Sequence, residues 1–245
     1  MWFIAFFLLS FNLQASEPVV ILASDSIPPY VMASEQPQWN LPGLQVEIVD
    51  AAFNEFSIKT SWQYMTNNRI VVQFVKPGID AGLNIAFMNS GGAIFESEPI
   101  INYKNCVIGR SSIKESWLKN LNKLKILGHQ RAQFIYQKIF GSYDFKNKNY
   151  NEVTNQRTLA YHAVSHRADI VLSDALVLSY YAKKYFEAQY LVSDLVCLKV
   201  IQSPRTLGFK TAKLRDQFNS GLKKIKSNGL YKKILDKYYG QFSSF

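Results

Sequence analysis

The sequence predicts an α/β protein of two lobes, in which each lobe is a mostly parallel β-sheet flanked by helices. Of its 245 residues, 48% are hydrophobic, which is enough to build a core and excludes a disordered chain. Alternating strand and helix patterns occur twice along the chain, and this order favours parallel sheets covered by helices. An irregular stretch around residues 109–117 separates the two cycles, so we expect two lobes of about a hundred residues each.

The first cycle begins with a strand at Val19–Ala23, where the β-branched run VVILA ends at polar residues. Apolar residues then recur at helical spacing and predict a helix over Leu44–Phe56. Strand composition returns at Lys59–Tyr64, and a helix is predicted over Asn67–Val75. Lys76-Pro77-Gly78 stops that helix before a further strand at Ile79–Phe87.

The second cycle repeats this alternation and is followed by two closing helices. Its strands are short apolar runs, and its helices are amphipathic segments with apolar residues three and four apart. Asn228-Gly229 separates the closing helices, because this pair is typical of a helix stop and restart. The predicted strands are 124–127 and 169–172, and the predicted helices are 132–140, 159–165, 175–186, 214–226 and 230–239.

Residues 1–15 have the pattern of a secretory signal peptide. Met1 to Leu13 carries no charge and is almost entirely apolar, but a membrane-spanning helix needs about 20 such residues. A polar stretch follows, and cleavage is predicted after Ala15 or Ser16. The alternative is a buried N-terminal strand. We therefore expect export to the periplasm, without a lipid anchor because no Cys stands at the cleavage point.

Cys106 and Cys197 are the only cysteines. In an oxidising compartment they can form one disulfide, but the sequence does not say whether their Cα atoms lie close enough. There is no CxxC pair or Cys/His cluster, so we predict no metal site and no cofactor.

The net charge of +10 raises the question of nucleic-acid binding. Such proteins concentrate basic residues on one face, with aromatic residues between them. Here Lys and Arg are spread along the chain, and the densest run, Lys223 to Lys226, lies on an amphipathic helix whose charged face is expected to be solvated. We predict no nucleic-acid partner and a monomer. Contact with an acidic membrane surface or a membrane partner stays open.

Several motifs, in their order and spacing, resemble the type II periplasmic binding proteins, within the group of family 3 solute-binding components of amino-acid ABC importers. The resemblance covers essentially the whole chain after residue 16. The matching segments are Pro28-Pro29-Tyr30; Gly43 with Glu47; Asn68-Arg69; Gly78-Ile79-Asp80-Ala81; Ser97-Glu98-Pro99; Ala168 to Asp174; and Asn228-Gly229-Leu230-Tyr231 with Ile234 and Tyr238-Tyr239-Gly240.

The resemblance implies a fold in which two lobes close on a hinge of two strands. Lobe 1 would combine residues 17–108 with 205–245, and lobe 2 would take residues 109–204. The hinge strands would lie near 107–111 and 203–207. A cleft between two such lobes buries most of a small ligand, and closure is driven by contacts that only the closed state satisfies.

The resemblance also implies a set of ligand-binding residues. Asp174 follows a buried strand where the amino-acid binders hold the ligand's α-ammonium, although Asp there can equally be an N-cap of the next helix. Tyr30 matches the aromatic residue that packs against the ligand, or else anchors its own loop in the core. The other positions that would face the cleft are Asp25 at the end of the first strand, and Asn84, Phe87 and Asn89.

The chain departs from the family pattern at the carboxylate site. Amino-acid binders carry an Arg shortly after the turn at residues 88–93, where it clamps the α-carboxylate, and this chain has none there. Arg131 and Gln130, at the start of the second-lobe helix, are candidate substitutes because helix N-termini favour anions. Arg131 can also be a solvent-facing residue. The absence of this Arg weighs against a standard α-amino acid as the ligand.

The predicted function is binding without turnover. The protein would capture a small polar molecule, amino-acid-like or a related organic acid, and deliver it to an inner-membrane ABC permease or a sensor. The alternative is a small lyase similar to the cyclohexadienyl dehydratases, which share this fold. A dehydratase needs a general acid, for which Glu47, Asp25 or Asp174 would be candidates. No motif specifies one, so the protein is predicted not to be an enzyme.

Overall fold

The computed structural model describes residues 17–24, 27–33, 40–85, 94–186 and 194–243, and two β-sheets with flanking helices form its framework. The predicted signal peptide lies outside the described residues. In chain order the elements are β1 (Val19–Ser24), α1 (Leu44–Asn54), β2 (Thr60–Met65), α2 (Asn67–Phe74), β3 (Ala81–Leu83), β4 (Phe95–Glu96), β5 (Ile101–Arg110), β6 (Ile126–His129), α3 (Ala132–Phe140), β7 (Tyr150–Val153), α4 (Gln156–Val164), β8 (Ile170–Asp174), α5 (Ala175–Phe186), β9 (Leu195–Arg205), β10 (Leu207–Phe209), α6 (Ala212–Ser227) and α7 (Leu230–Phe242).

The first sheet has the strand order β2-β1-β3-β10-β4. β1 lies parallel to β2 and to β3, and β10 pairs antiparallel with β3 and β4. Ile21, Leu22 and Ala23 of β1 are fully buried, as a central strand with helices on both faces requires. The run VVILA therefore serves as the middle of the sheet.

The second sheet has the strand order β7-β6-β8-β5-β9. β6 lies parallel to β7 and β8, whereas β5 pairs antiparallel with β8 and β9. The predicted two-lobed α/β fold is confirmed, with one mixed sheet in each lobe.

The two long strands β5 and β9 were predicted only as short hinge pieces near 107–111 and 203–207. They form a ladder from Ile101–Arg205 to Arg110–Leu195 within the second sheet. Residues 101–108, assigned to lobe 1 in the prediction, thus pair in the second sheet. The chain passes between the sheets in the short segments that join Glu96 to Ile101 and Arg205 to Leu207.

Helices α6 and α7 bring the end of the chain back onto the first sheet. Phe218 and Leu222 of α6, and Ile234 and Tyr238 of α7, are buried in one cluster with residues of β1 and α1. Helices α1 and α6 approach closely at Gly221, where an added Cβ would lie 2.0 Å from the carbonyl oxygen of Ala52. Any larger side chain would push the two helices apart.

Cys106 of β5 and Cys197 of β9 form a disulfide, which settles a question that the sequence left open. Their Cα atoms are 5.4 Å apart, within the range that the bond requires. The bridge joins neighbouring strands of the second sheet across 91 residues of sequence.

None of the helices in the described part of the chain combines the length and the apolarity needed to cross a lipid bilayer.

Candidate functional site

A cleft of about 640 Å³ lies between the two lobes. This volume is within the range of about 300–1,000 Å³ that is typical of small-molecule sites. Most of the described residues that line it belong to the second sheet and its helices, and Ile27 and Asn67 come from the first lobe. The lining residues are Ile27, Asn67, Tyr103, Asn105, His129, Gln130, Ala132, Ile135, Tyr136, Thr154, Asn155, Gln156, Leu172, Ser173, Asp174, Val177, Tyr181 and Arg205.

Asp174 is the last residue of β8, lines the cleft and directly precedes helix α5. Its Oδ1 accepts hydrogen bonds from the backbone N–H groups of Leu176 and Val177, each at 3.0 Å. The Tyr30 hydroxyl donates to the same carboxylate and lies 3.1 Å from both oxygens. The carboxylate is therefore an N-cap that also lines the cleft, and its role in ligand binding stays a prediction.

The Asp174 side chain is only 8% exposed. Burial raises its pKa from the ordinary 3.8 to about 6, although the hydrogen bonds from Val177, Tyr30 and Leu176 oppose the shift. At neutral pH the group is ionised in a site that solvates it poorly. A cation brought into the cleft would relieve that cost.

Tyr30 and Tyr103 form an aromatic platform beside Asp174. Their rings stack with centroids 4.0 Å apart, and the Tyr103 hydroxyl donates to Oε1 of the fully buried Gln45 at 2.7 Å. Gly43 makes this arrangement possible, because its φ of 114° and the Tyr30 carbonyl oxygen, 2.6 Å from an added Cβ, exclude a side chain. Tyr30 is fully buried and packs across the lobes beneath the cleft.

Arg205 and Asn105 bring polar donors from the hinge strands to the cleft. The Cζ of Arg205 lies 4.4 Å from the centre of the Tyr103 ring, a cation–π distance. Asn105 is 5% exposed, and its Nδ2 has no hydrogen-bond partner among the described residues. A buried amide donor without a partner is costly, so this group is suited to an acceptor on a ligand.

The start of helix α3 is occupied by a side chain of the protein itself. Glu152 of β7 accepts hydrogen bonds from the backbone N–H groups of Arg131 (2.8 Å) and Gln133 (3.2 Å), and from the Tyr150 hydroxyl (2.6 Å). These bonds hold the pKa of Glu152 below its ordinary value, although the slight desolvation of this exposed residue acts in the opposite direction. Arg131, the candidate anion clamp, is exposed and begins the helix with φ 66°, outside the lining of the cleft.

His129 and Gln130, which precede that helix, do line the cleft. Burial lowers the pKa of His129, so its ring is neutral at pH 7, and Nε2 donates to the Thr154 carbonyl oxygen at 3.2 Å. Among the charged residues of the described lining, Asp174 is then the one anion and Arg205 the one cation. The cleft presents two opposite charges to its contents.

The other predicted site residues are placed as follows. Asn84 lies under the platform, where its Oδ1 accepts from Gln45 Nε2 at 3.5 Å, and it is not part of the cleft lining. Asp25, Phe87 and Asn89 lie outside the described residues. Glu47 bonds to Lys237 and to the Tyr238 hydroxyl of α7 and serves as an inter-helix contact.

The sequence analysis did not single out Tyr103, Asn105 and Arg205, which line the cleft. A signal was available in Ile101-Asn102-Tyr103-Lys104-Asn105, where Tyr103 and Asn105 alternate with Asn102 and Lys104 along one strand. Such alternation places Tyr103 and Asn105 on one face.

The chain matches the family model described as bacterial extracellular solute-binding proteins, family 3, over residues 19–241. One relative, the arginine-binding periplasmic protein of Mannheimia haemolytica, is 24% identical over 232 residues, which cover 90% of this chain and 91% of that protein.

Two solved structures share the fold at low identity. An ancestral cationic amino acid solute binding protein superposes with a TM-score of 0.69 at 16% identity, covering 91% of this chain and 95% of the other. A histidine kinase sensor domain with similarity to periplasmic binding proteins gives a TM-score of 0.64 at 14% identity, covering 92% and 97%.

Proposed function

The chain belongs to the bacterial extracellular solute-binding proteins, family 3, and we propose that it captures a small zwitterion of the amino-acid type between its two lobes. The observation that carries this proposal is the buried Asp174 carboxylate in the cleft. An ammonium group would form charge-assisted hydrogen bonds with it in a poorly solvated site, where such bonds are strong.

The Tyr30 hydroxyl supports this role for Asp174. It lies at equal distance from both carboxylate oxygens, which is the position that a ligand's ammonium would take or share. Ligand entry therefore requires the hydroxyl to turn aside or to accept from the ammonium. Tyr30 would then act as the first-lobe group that senses an occupied cleft.

Closure of the lobes would take place at the two segments that join the sheets. These segments bond to one another: Thr206 Oγ1 donates to Glu96 Oε1 at 2.7 Å, and the Leu207 N–H donates to Ser97 Oγ at 2.9 Å. Two adjacent connections restrict the lobes to a hinge motion. Contacts of one ligand to both lobes would favour the closed state.

The protein would deliver its ligand to a membrane partner, and an ABC permease is the partner that we propose. The relative named above is an arginine-binding periplasmic protein, which supports an amino acid as ligand and the periplasm as location. A likeness to a histidine kinase sensor domain makes a sensor the second candidate partner. Export would use residues 1–15 as a signal peptide.

No turnover is proposed. Asp174 is bound by two backbone N–H groups and a tyrosine hydroxyl, which suits a fixed acceptor rather than an acid that must release a proton.

Thermal unfolding tests the proposal directly. The purified protein would be stripped of carried-over ligand by partial unfolding and refolding, then melted with each of the twenty L-amino acids, beginning with L-arginine. A ligand at 100 times its Kd adds about 2.7 kcal/mol, a shift of a few degrees.

Isothermal titration would then give the Kd, and NMR after incubation should recover the compound unchanged. Consumption of the compound would replace the binding function by a catalytic one. If no amino acid raised the melting temperature, the proposed ligand class would be wrong.

A further inference from the structure

We propose that the hinge strands, through Arg205 of β9 and Asn105 of β5, bind the carboxylate of the ligand, and that the start of helix α3 does not. The inference rests on the proposed function, because it assumes that the ammonium of the same ligand lies on Asp174. It assigns the anion-binding part of the cleft to two residues that the sequence did not single out.

The start of α3 is unsuited to this task because it already holds a carboxylate. Glu152 accepts from the N–H groups of Arg131 and Gln133, which are the donors that a helix N-terminus offers to an anion. A ligand carboxylate there would have to displace Glu152 and would meet its negative charge. Arg131 does not supply the missing positive charge, because it is exposed and lies outside the lining of the cleft.

The pairing of the strands places Asp174, Asn105 and Tyr103 in a row on one face of the second sheet. Asn105 of β5 stands opposite Asp174 of β8, and opposite residues of an antiparallel pair have their Cβ atoms about 4.5–5.5 Å apart. Tyr103 lies two residues before Asn105 on β5, about 7 Å away. The row runs from the acidic group, past an amide, to the aromatic platform.

Arg205 completes the row from the next strand. It pairs with Ile101, and its side chain reaches over the Tyr103 ring, with Cζ 4.4 Å from the ring centre. Because Tyr30 fills one face of that ring at 4.0 Å, the guanidinium lies on the other face. The N–H groups of a stacked guanidinium lie in the plane of the group and point away from the ring, so they can bind a carboxylate bidentately.

Asn105 supplies an independent reason for an acceptor at this place. The side chain is 5% exposed, lines the cleft, and its Nδ2 finds no acceptor among the described residues. It lies between Asp174 and the platform, so an oxygen that binds Arg205 can also receive a hydrogen bond from Asn105. That bond would satisfy the amide only when the ligand is present.

The spacing selects a short zwitterion. Asp174 stands opposite Asn105, and Arg205 lies over Tyr103, two residues or about 7 Å away along β5. A ligand that forms a hydrogen bond of about 2.8 Å at each end therefore has room for only a few bonds between its two charges. An α-amino acid has this separation. Its side chain would extend into the part of the cleft lined by His129, Gln130 and Gln156.

The test compares amino acids with the amines that they give on decarboxylation. The probes are L-arginine, L-histidine, L-glutamine and L-alanine, with agmatine, histamine, 4-aminobutanamide and ethylamine as their counterparts. Isothermal titration would measure all eight against wild type, Arg205→Gln, Arg205→Lys and Asn105→Leu. For the amino acids that bind, we expect Arg205→Gln to weaken affinity at least ~30-fold, Asn105→Leu about tenfold, and Arg205→Lys by an intermediate factor.

The amines carry no carboxylate, so their affinities should be the same in wild type and Arg205→Gln. Arg157→Gln is the matched control, because the Cζ of Arg157 also lies 4.4 Å from a tyrosine ring centre, that of Tyr185, and Arg157 does not line the cleft. It should bind every probe as wild type does. Circular dichroism would verify that each variant is folded.

Two outcomes would overturn the inference alone: amino acids that bind Arg205→Gln as tightly as wild type, or amines weakened as much as amino acids in that variant. In either case, if Asp174→Asn no longer binds the amino acids, Asp174 remains the ammonium site and the proposed function is retained. If no amino acid binds wild type, the proposed function fails and the inference falls with it.

Discussion

Two carboxylates of the second sheet cap two of the three helices that follow its strands, yet only one of the two belongs to the cleft lining. Asp174 accepts from two N–H groups at the start of α5, and Glu152 accepts from two N–H groups at the start of α3. The pKa of Asp174 is raised by burial to about 6, whereas hydrogen bonds lower the pKa of Glu152. The same capping chemistry thus exists in two environments.

The comparison teaches that a capping carboxylate becomes a binding group through its surroundings. Asp174 is 8% exposed, and burial disfavours its charged form, so a cation bound beside it would stabilise that charge. Glu152 is exposed to water and gains little. Neutralising each residue in turn separates the two roles.

The largest expected effect is on ligand affinity. Asp174→Asn keeps a capping side chain of the same shape but removes the charge that would hold an ammonium, so binding should weaken by more than 100-fold. Glu152→Gln should bind as wild type does. Isothermal titration with the amino acid that shifts the melting temperature most would measure both. Equal losses in the two variants would contradict the division of roles.

The second effect is on the stability of the ligand-free protein. The folded-state pKa of Asp174, about 6, exceeds the ordinary 3.8, so the folded state binds the proton more tightly. The wild type therefore loses stability as pH rises between these values, by roughly 3 kcal/mol in full. Asp174→Asn lacks this loss and should be the more stable protein at pH 8. Urea unfolding at pH 8 and pH 4 should show that its advantage nearly vanishes at pH 4.

A smaller effect concerns the pH dependence of binding. Protonation of Asp174 below its pKa of about 6 removes the charge that attracts an ammonium, so affinity should fall about tenfold between pH 7.5 and pH 5. Titrations across this range would follow the fall. Glu152→Gln should have the same profile, and a profile flat to pH 5 would argue against Asp174 as the ammonium site.

The smallest effect is on the stability contributed by Glu152. Its pKa is lowered in the folded protein, so its contribution is present above the ordinary value of 4.5 and is lost as pH falls through the folded-state value. Glu152→Gln should therefore cost about 0.5–1 kcal/mol at pH 7 and nothing measurable at pH 3. Urea unfolding at the two pH values would measure this difference.

Local patterns predicted much of the fold because helix periodicity is a local property. The helices at Ala132–Phe140 and Ala175–Phe186 were predicted to the residue, and β1 to within one residue. The strands β5 and β9 were recognised only as short pieces. Their antiparallel ladder joins Ile101 to Arg205, and the sequence of neither segment reveals a partner about a hundred residues away.

The site was predicted in part for the same reason. Asp174 follows a buried apolar run at a helix start, a local signal, and it does line the cleft with Gln130. Its role in ligand binding stays a prediction, as does that of Tyr30 beneath it. The occupation of the α3 start by Glu152 depends on the parallel pairing of Gly128 with Glu152, which the sequence does not reveal. Helix-terminus reasoning alone therefore pointed to Arg131.

The bridge between Cys106 and Cys197 makes a closed covalent ring of everything between them, including β6, β7, β8, α3, α4 and α5. A protease that nicks one peptide bond in that ring releases no fragment, because both new ends stay tethered through the sulfur atoms. Under oxidising conditions the half of the molecule that supplies most of the cleft is thus protected from loss by a single cut, and its hinge strands stay paired side by side.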